Sequence, residues 1–478
     1  MLIESRIASD SNHAWRRYLI LLGLIVGALV ALSFTDVVNE INGEYSGSTD
    51  HYESFDVGDR LVQQALSGIQ YIGDPASAAR KAIEYYEDEL PSPAAYRRIA
   101  LVKQTILNES GANDFSRIDS RKATRGLSKQ QIAKLLQEVD MWLDIYGPGE
   151  ISKLKAAEYI SRIKELNLEP LEQAAISDVY KRSGQKEKAQ SVMDAARESA
   201  YKATVFIFTF AGVLLLLGIT GLVLTGLFFS RYGSDLRRSQ PPRIQPNVLI
   251  ISFLAYFLSF VFLSVIAAII RGFAGIGESS VYGDVITFAL ESLAMLGAFA
   301  LGMSALRMIT AYTHEDLREI GLRMRSLMES IKWGVGGYCA ALPFVGAAAW
   351  ISKIISENLV KNVQLPEHPI VPVVEEGGWV LVLVVLLATV IAPIVEEVGF
   401  RGMLYGALRG KMGVWPSAVL SGLIFAFIHP TFPLQVLPIM VLGIVLAILR
   451  EKTGSLVPSI ICHAINNTVA LLVVLQPY

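Results

Sequence analysis

The residues able to do chemistry stand late in the chain, inside or at the ends of apolar runs. Glu396 and Glu397 follow directly on the apolar run Trp379–Val395, and Arg401 lies four residues beyond Glu397. His429 ends the next apolar segment, four residues after Phe425, and His463 interrupts the last one, four residues before Asn467. Ionisable side chains in such surroundings are costly to keep and mark a site by default. Residues four apart share a helix face, so Glu397 can reach Arg401, and His463 and Asn467 can point the same way. If the first segment continues as a helix to a basic turn near Met412, Glu396 lies 412 − 396 = 16 residues before that turn and His429 lies 429 − 412 = 17 after it. At ~1.5 Å per residue both are about 24–26 Å from the turn, level with one another in an antiparallel hairpin. A carboxylate and an imidazole at one depth in a dry bundle can activate a water. Each signal also has a plainer use: Glu397–Arg401 as an internal ion pair, a lone histidine as a packing residue, and Asn466 or Asn467 as ties between helices.

The elements that must position these groups are membrane helices. Of 478 residues, 52% are hydrophobic and 18% charged, against about a quarter charged in soluble domains, and the mean hydropathy is +0.44. A net charge of -2 gives no footprint for nucleic acid. Cys339 and Cys462 lie in apolar stretches and offer neither a metal quartet nor a disulfide. Apolar runs at 203–229, 247–270, 284–306, 333–352, 377–400, 415–430, 433–449 and 456–475 approach the ~20 residues a helix needs to cross a bilayer. A ninth run, Tyr18–Phe34, reads as a retained anchor, although Ala31-Leu32-Ser33 also resembles a signal-peptide cleavage site. The fold class expected is therefore all-α, a polytopic bundle of eight or nine spans.

Basic residues set the expected orientation. Arg16 and Arg17 precede the first run. Arg231, Arg237, Arg238 and Arg243, then Arg307, Arg318, Arg323, Arg325 and Lys332, then Arg409 with Lys411 and Arg450 with Lys452, mark alternate turns. The loop 272–283 has no Lys or Arg, and 353–377 balances Lys353 and Lys361 with Glu357, Glu367, Glu375 and Glu376. The amino terminus and the basic turns are thus expected in the cytoplasm, in a cell membrane, with residues 36–200 outside. The chain divides into a cytoplasmic start and anchor (1–35), a polar helical domain (36–200), helices and loops (201–376) and the motif-bearing helices (377–478). Within the polar domain, Ile176, Tyr180, Gly184, Ala189, Met193 and Ala196 have nearly the spacing of a tetratricopeptide helix pair; a small helical bundle of another kind fits equally. Glu291 reads as the lining of a polar pocket, and His13, His51, His314 and His368 fall in loops without a pattern.

Glu396-Glu397-x-x-x-Arg401, Phe425-x-x-x-His429 and His463-x-x-x-Asn467 resemble, in order and separation, the three motifs of the CAAX-protease and bacteriocin-processing (Abi) family of intramembrane endopeptidases. The likeness covers about residues 377–475. It implies peptide-bond hydrolysis of a membrane-associated protein or peptide within the lipid bilayer. Glu396 would be the general base, His429 would orient or deprotonate the same water, and His463 and Asn467 would face the oxyanion. Glu397, Arg401 and Phe425 would support them from behind. Glu396, His429 and His463 are also an acceptable zinc set with one position left for water. No HExxH is present to make a metal claim strong, so the sequence leaves zinc open. Nothing in the chain indicates prenyl recognition, and the 36–200 domain lies outside the resemblance, available to a protein partner. Two other classes compete: a scaffold that binds a partner without cleaving it, and a transporter, against which stands the lack of an inverted repeat.

Overall fold

The computed structural model describes Trp15, 17–24, 26–27, 74–87, 92–120, 123–124, 127–166, 168, 171–238, 240–273, 281–314, 316–323, 326–359, 378–429 and 435–474. The remainder of the first apolar block to Phe34, the loop residues Glu367, Glu375 and Glu376, and His13, His51 and His368 lie outside these residues. Among the described residues every regular element is helical, and the protein is an all-α, multi-pass membrane helix bundle with a further helical unit. Lipid offers no partner for a free backbone N–H or C=O, so an apolar run of this length closes its hydrogen bonds within itself as a helix.

Eight helices correspond to the eight later apolar runs: α1 (Lys186–Arg238), α2 (Pro246–Phe273), α3 (Val281–Thr313), α4 (Leu327–Leu359), α5 (378–409), α6 (Val414–Phe427), α7 (Val436–Thr453) and α8 (Val457–Val474). The first five are long and apolar enough to cross a membrane, and α6 and α8 are shorter apolar helices. With 14 residues, α6 is about 21 Å long, less than the ~30 Å hydrocarbon core. It is a helix of the bundle interior as much as a span.

Contacts divide the chain into two compact units, one built on Val213–Lys361 and Leu365–Leu475 with the amino-terminal segment, the other on Gly43–Gly212. In the first, α2 packs along α3 and against the second half of α5, while α4 packs against α7 and α8. Phe253, Phe257, Leu404, Leu408 and Phe425 form its core, which Trp15, Leu22 and Val26 of the amino-terminal helix join. Leu215, Leu216, Phe262, Leu293 and Trp350 stay more than half exposed, as lipid-facing side chains must. Helices α6 and α7 cross closely. A Cβ on Gly422 would meet the Met440 carbonyl oxygen at 2.8 Å, and one on Gly443 would meet the Gly422 Cα at 2.7 Å, so small residues let these backbones touch.

The other unit is water-soluble in character. Phe115 stacks on Trp142 and Tyr146 at 5.3 and 5.6 Å. Arg97 forks onto Glu138 at 2.6 and 2.7 Å, and Trp142 Nε1 donates to the same carboxylate at 2.9 Å, so the buried charges are paired. Ser128 and Gln131 form a reciprocal capping box at the start of Lys129–Tyr146. The stretch with tetratricopeptide-like spacing is a helix pair, Leu171–Arg182 and the start of α1. Gly184 takes the turn between them at φ +74°, and Ser177 Oγ donates to the Ala189 carbonyl at 3.1 Å.

Candidate active site

Helix α5 carries the first motif and is not a uniform α-helix. It passes through π-helical turns at Leu387–Ile391 and Val398–Leu404, on either side of Ala392–Glu397. The amide of Ala392 donates to the Leu387 carbonyl. In that register the next donor is Pro393, which has no N–H, so the Ala388 carbonyl is left without a main-chain partner. Asn467 Nδ2, from α8, donates to it at 2.9 Å. Widened turns of this kind recur at functional sites because they re-aim side chains. Here they flank the Glu396–Glu397 pair.

Glu397 and Arg401 are both fully buried and form an i,i+4 ion pair, Arg401 Nη1 donating to Glu397 Oε1 at 2.7 Å. Arg401 Nη2 donates to the Gly443 carbonyl at 3.2 Å, which the glycine crossing of α6 and α7 brings within reach. The guanidinium also lies over the Phe425 ring, 4.3 Å from its centroid, where a cation meets the negative face of the π system. Glu397 Oε1 has a second partner, His463 Nδ1 at 3.1 Å. A carboxylate paired with arginine only accepts, so Nδ1 carries the proton and the neutral ring keeps its lone pair on Nε2. That Nε2 lies 3.7 Å from Glu396 Oε2. His463 is 2% exposed, whereas the Glu396 side chain is 21% exposed. Glu396 Oε2 and Glu397 Oε2 have no hydrogen-bond partner within the protein.

His429 is held by a neutral acceptor instead. Its Nδ1 sits 2.8 Å from the Phe425 carbonyl, and a carbonyl can only accept, so again Nε2 is the free nitrogen. The Phe425 ring meets both imidazoles edge to face, at 4.4 Å from His429 and 5.7 Å from His463. Glu396 is an electrostatic neighbour of His429. Among the described residues, no three His, Cys, Asp or Glu side chains converge as a metal-binding group.

The structure thus gathers Glu396, Glu397, Arg401, Phe425, His429 and His463 around one aromatic ring. Asn467 stands beside them, one N–H committed to α5. Glu291 is exposed on α3, with Arg271 as its electrostatic neighbour. Three participants were not singled out from the sequence: the Gly443 carbonyl, the Ala388 carbonyl, and Phe400, whose ring packs on Phe425 at 4.9 Å. Pro393 within an apolar helix was the one available signal for the Ala388 gap. The two carbonyls carry no side-chain signature.

Residues 378–469 match the family described as "Type II CAAX prenyl endopeptidase Rce1-like". A Bacillus subtilis (strain 168) protein named "Putative membrane peptidase YdiL" is 26% identical over 154 residues, which cover 31% of this chain and 58% of that protein. The chain therefore spans little more than half the length of this relative. No solved structure matches. The matched segment includes α6 and α7 and nearly all of α5 and α8, hence every group of the cluster. The chain thus carries, in residues 378–469, a domain of the type II CAAX prenyl endopeptidase Rce1-like family.

Proposed function

We propose that this protein is an intramembrane endopeptidase that hydrolyses peptide bonds of membrane-associated proteins or peptides with a water activated by Glu396. The observation that carries this reading is the shared Glu397 oxygen. It takes Arg401 on one side and His463 Nδ1 on the other, and so aims His463 Nε2 at Glu396. The reaction requires a water about 2.8 Å from both Glu396 Oε2 and His463 Nε2, which stand 3.7 Å apart. Glu396 takes its proton as the oxygen attacks the scissile carbonyl, and the same carboxyl then returns a proton to the leaving amine. His429 Nε2, half-buried beside Phe425, accepts from the water and so orients it. The second N–H of Asn467 donates to the oxyanion, and His463 can join it only once its Nε2 has taken a proton. Glu397, Arg401 and Phe425 position these groups and stay outside the bond changes.

Zinc dependence is an alternative for the same residues. The donor chemistry would be the Glu396 carboxylate and the free Nε2 atoms of His429 and His463, which a metal would use to polarise the water. In the structure these donors do not close around a common point, so every step above uses the chain's own groups. Chelator titration followed by zinc add-back separates the two. The 36–200 domain, which has no part in the cluster, is proposed to face outward from a cell membrane and to select partners or substrates.

The test is substrate trapping. Glu396→Gln keeps shape and hydrogen bonding and removes the proton acceptor. Turnover should fall by at least about 10²–10⁴-fold, and uncleaved substrate should accumulate in native membranes. His429→Ala and His463→Ala should be comparably severe, whereas substitution of Glu291 should matter little. Full activity in Glu396→Gln membranes would discard the peptidase reading in favour of a scaffold.

A further inference from the structure

At one end of the bundle, three loops converge on a cavity of about 180 Å³. They are the α1–α2 loop (Gln240, Pro241, Pro242), the α3–α4 loop (Arg318, Glu319, Arg323) and the α7–α8 turn (Thr453, Gly454, Ser455), with Tyr405 and Gly406 of α5 as a wall. Four arginines line it: Arg318, Arg323, Arg401 and Arg450. Its two carboxylates are engaged by other groups. Glu319 pairs with Arg323 at 2.7 Å. Glu451 takes Arg409 at 3.0 Å and the Tyr405 hydroxyl at 2.6 Å.

Arg450 is the unusual member. It is 9% exposed, and its partners are two neutral carbonyls, Ile320 at 3.2 Å through Nε and Glu319 at 2.8 Å through Nη2. No ion pair reaches it among the described residues. A buried guanidinium needs a counter-charge to offset its lost hydration; two carbonyl dipoles touch this one, while the Glu451 and Glu319 carboxylates, each paired with another arginine, act on it only as electrostatic neighbours. The fold makes deliberate room for it: Gly321, at φ +103°, lies so close that a Cβ there would stand 2.5 Å from Arg450 Nε. Arg318 is exposed at the rim, and among the described residues its guanidinium has no side-chain partner. One fork inside and one at the mouth match the oxygens of a tetrahedral anion. The cavity also lies at a helix-end level, where headgroups sit, and on the end carrying the Arg409 and Lys411 turn.

We propose that this cavity is a phosphate-binding site, held by Arg450 and Arg318, that takes the headgroup of an anionic phospholipid in the adjoining leaflet. Basic pockets between helix ends favour such headgroups over zwitterionic ones, whose own cation opposes the arginines. Arg401 is common to this cavity and the water-activating cluster; Arg450 and Arg318 lie outside that cluster, and anion binding by them does not depend on the peptidase reading.

The test uses the full-length protein in neutral detergent. Native mass spectrometry with equal phosphatidylglycerol and phosphatidylcholine should show preferential retention of phosphatidylglycerol. Arg450→Gln should weaken retention about 10–100-fold, the cost of losing a charged hydrogen bond to a buried anion. Arg318→Gln, at an exposed position that folding does not need, should weaken it up to about fivefold. Inorganic phosphate is compared in parallel with chloride at matched ionic strength. A rise in thermal midpoint with phosphate alone, lost in both variants, supports the site with free phosphate as its source. Retention of phosphatidylglycerol with no phosphate effect supports the lipid source. Equal retention of the two lipids together with equal effects of phosphate and chloride, or binding unchanged in both variants, overturns the proposal.

Discussion

Replacing Glu397 by glutamine should damage the protein in two separable ways. Arg401 is fully buried, and Glu397, at 2.7 Å, is its ion-pair partner. Its other contacts are the Gly443 carbonyl and the Phe425 ring, while Nε has no partner within the protein. Glu397→Gln therefore leaves a whole charge facing a carbonyl and an aromatic face, a loss of about 3–5 kcal/mol. Adding Arg401→Met removes the stranded charge and keeps the volume, so most of that stability should return. Because either single change strands the other's charge, the double-mutant cycle should show a coupling of at least about 3 kcal/mol. Turnover should not return. Glutamine can present an N–H to His463 Nδ1, which pushes the ring proton to Nε2 and removes the lone pair that accepts from the water beside Glu396. In serine proteases the equivalent change of tautomer costs about 10⁴-fold. Denaturant titration of the purified variants in micelles gives the stabilities, and peptide cleavage gives the rates. Additive stability losses would mean that Glu397 and Arg401 are not an energetic pair. An active double variant would refute the claim that Glu397 sets the His463 tautomer.

Asn467→Ala should lower stability by about 1–3 kcal/mol because it strands the Ala388 carbonyl; Pro393→Ala, which restores a main-chain N–H, should recover part of this in thermal melts. Gly443→Ala should cost about 1–3 kcal/mol and reduce activity, since the new Cβ would stand 2.7 Å from Gly422 Cα and 3.1 Å from Arg401 Nη2; unchanged melting and turnover would contradict the close crossing. In the polar unit, burial together with its 2.6 Å bond to Asp144 holds the Tyr159 phenol up at about 12. A raised phenol contributes stability that is intact below its unfolded value of about 10 and is lost as pH climbs from there towards about 12. Asp144 runs the other way: the Tyr159 and Lys155 bonds hold its carboxyl low, so its contribution is present above about 3.9 and fades as pH falls below that. Hydrogen exchange across Lys129–Tyr146 should become less protected at both limits, and Tyr159→Phe should flatten the alkaline one.

The membrane bundle and its eight later helices were readable from composition and run length alone, because lipid admits no other backbone solution for such stretches. The i,i+4 spacing likewise predicted the Glu397–Arg401 pair, a local geometry that needs only a helix. Spacing also put His463 with Asn467 on one face, and the hairpin arithmetic placed Glu396 and His429 at one depth. Spacing could not say that Glu397 would also hold His463, sixty-six residues away. That contact depends on α8 packing against α5, a choice made by helix faces whose residues are uniformly apolar. The π turns were hidden for a related reason. The first of them rests on a single missing N–H at Pro393 and on a side chain from another helix that satisfies the carbonyl left over. Main-chain partners such as Gly443 and Ala388 have no side chain to advertise them. The arginine cavity is the extreme case: its residues come from three loops and α5, spread over more than two hundred positions, and only the tertiary fold brings them to one anion-sized space.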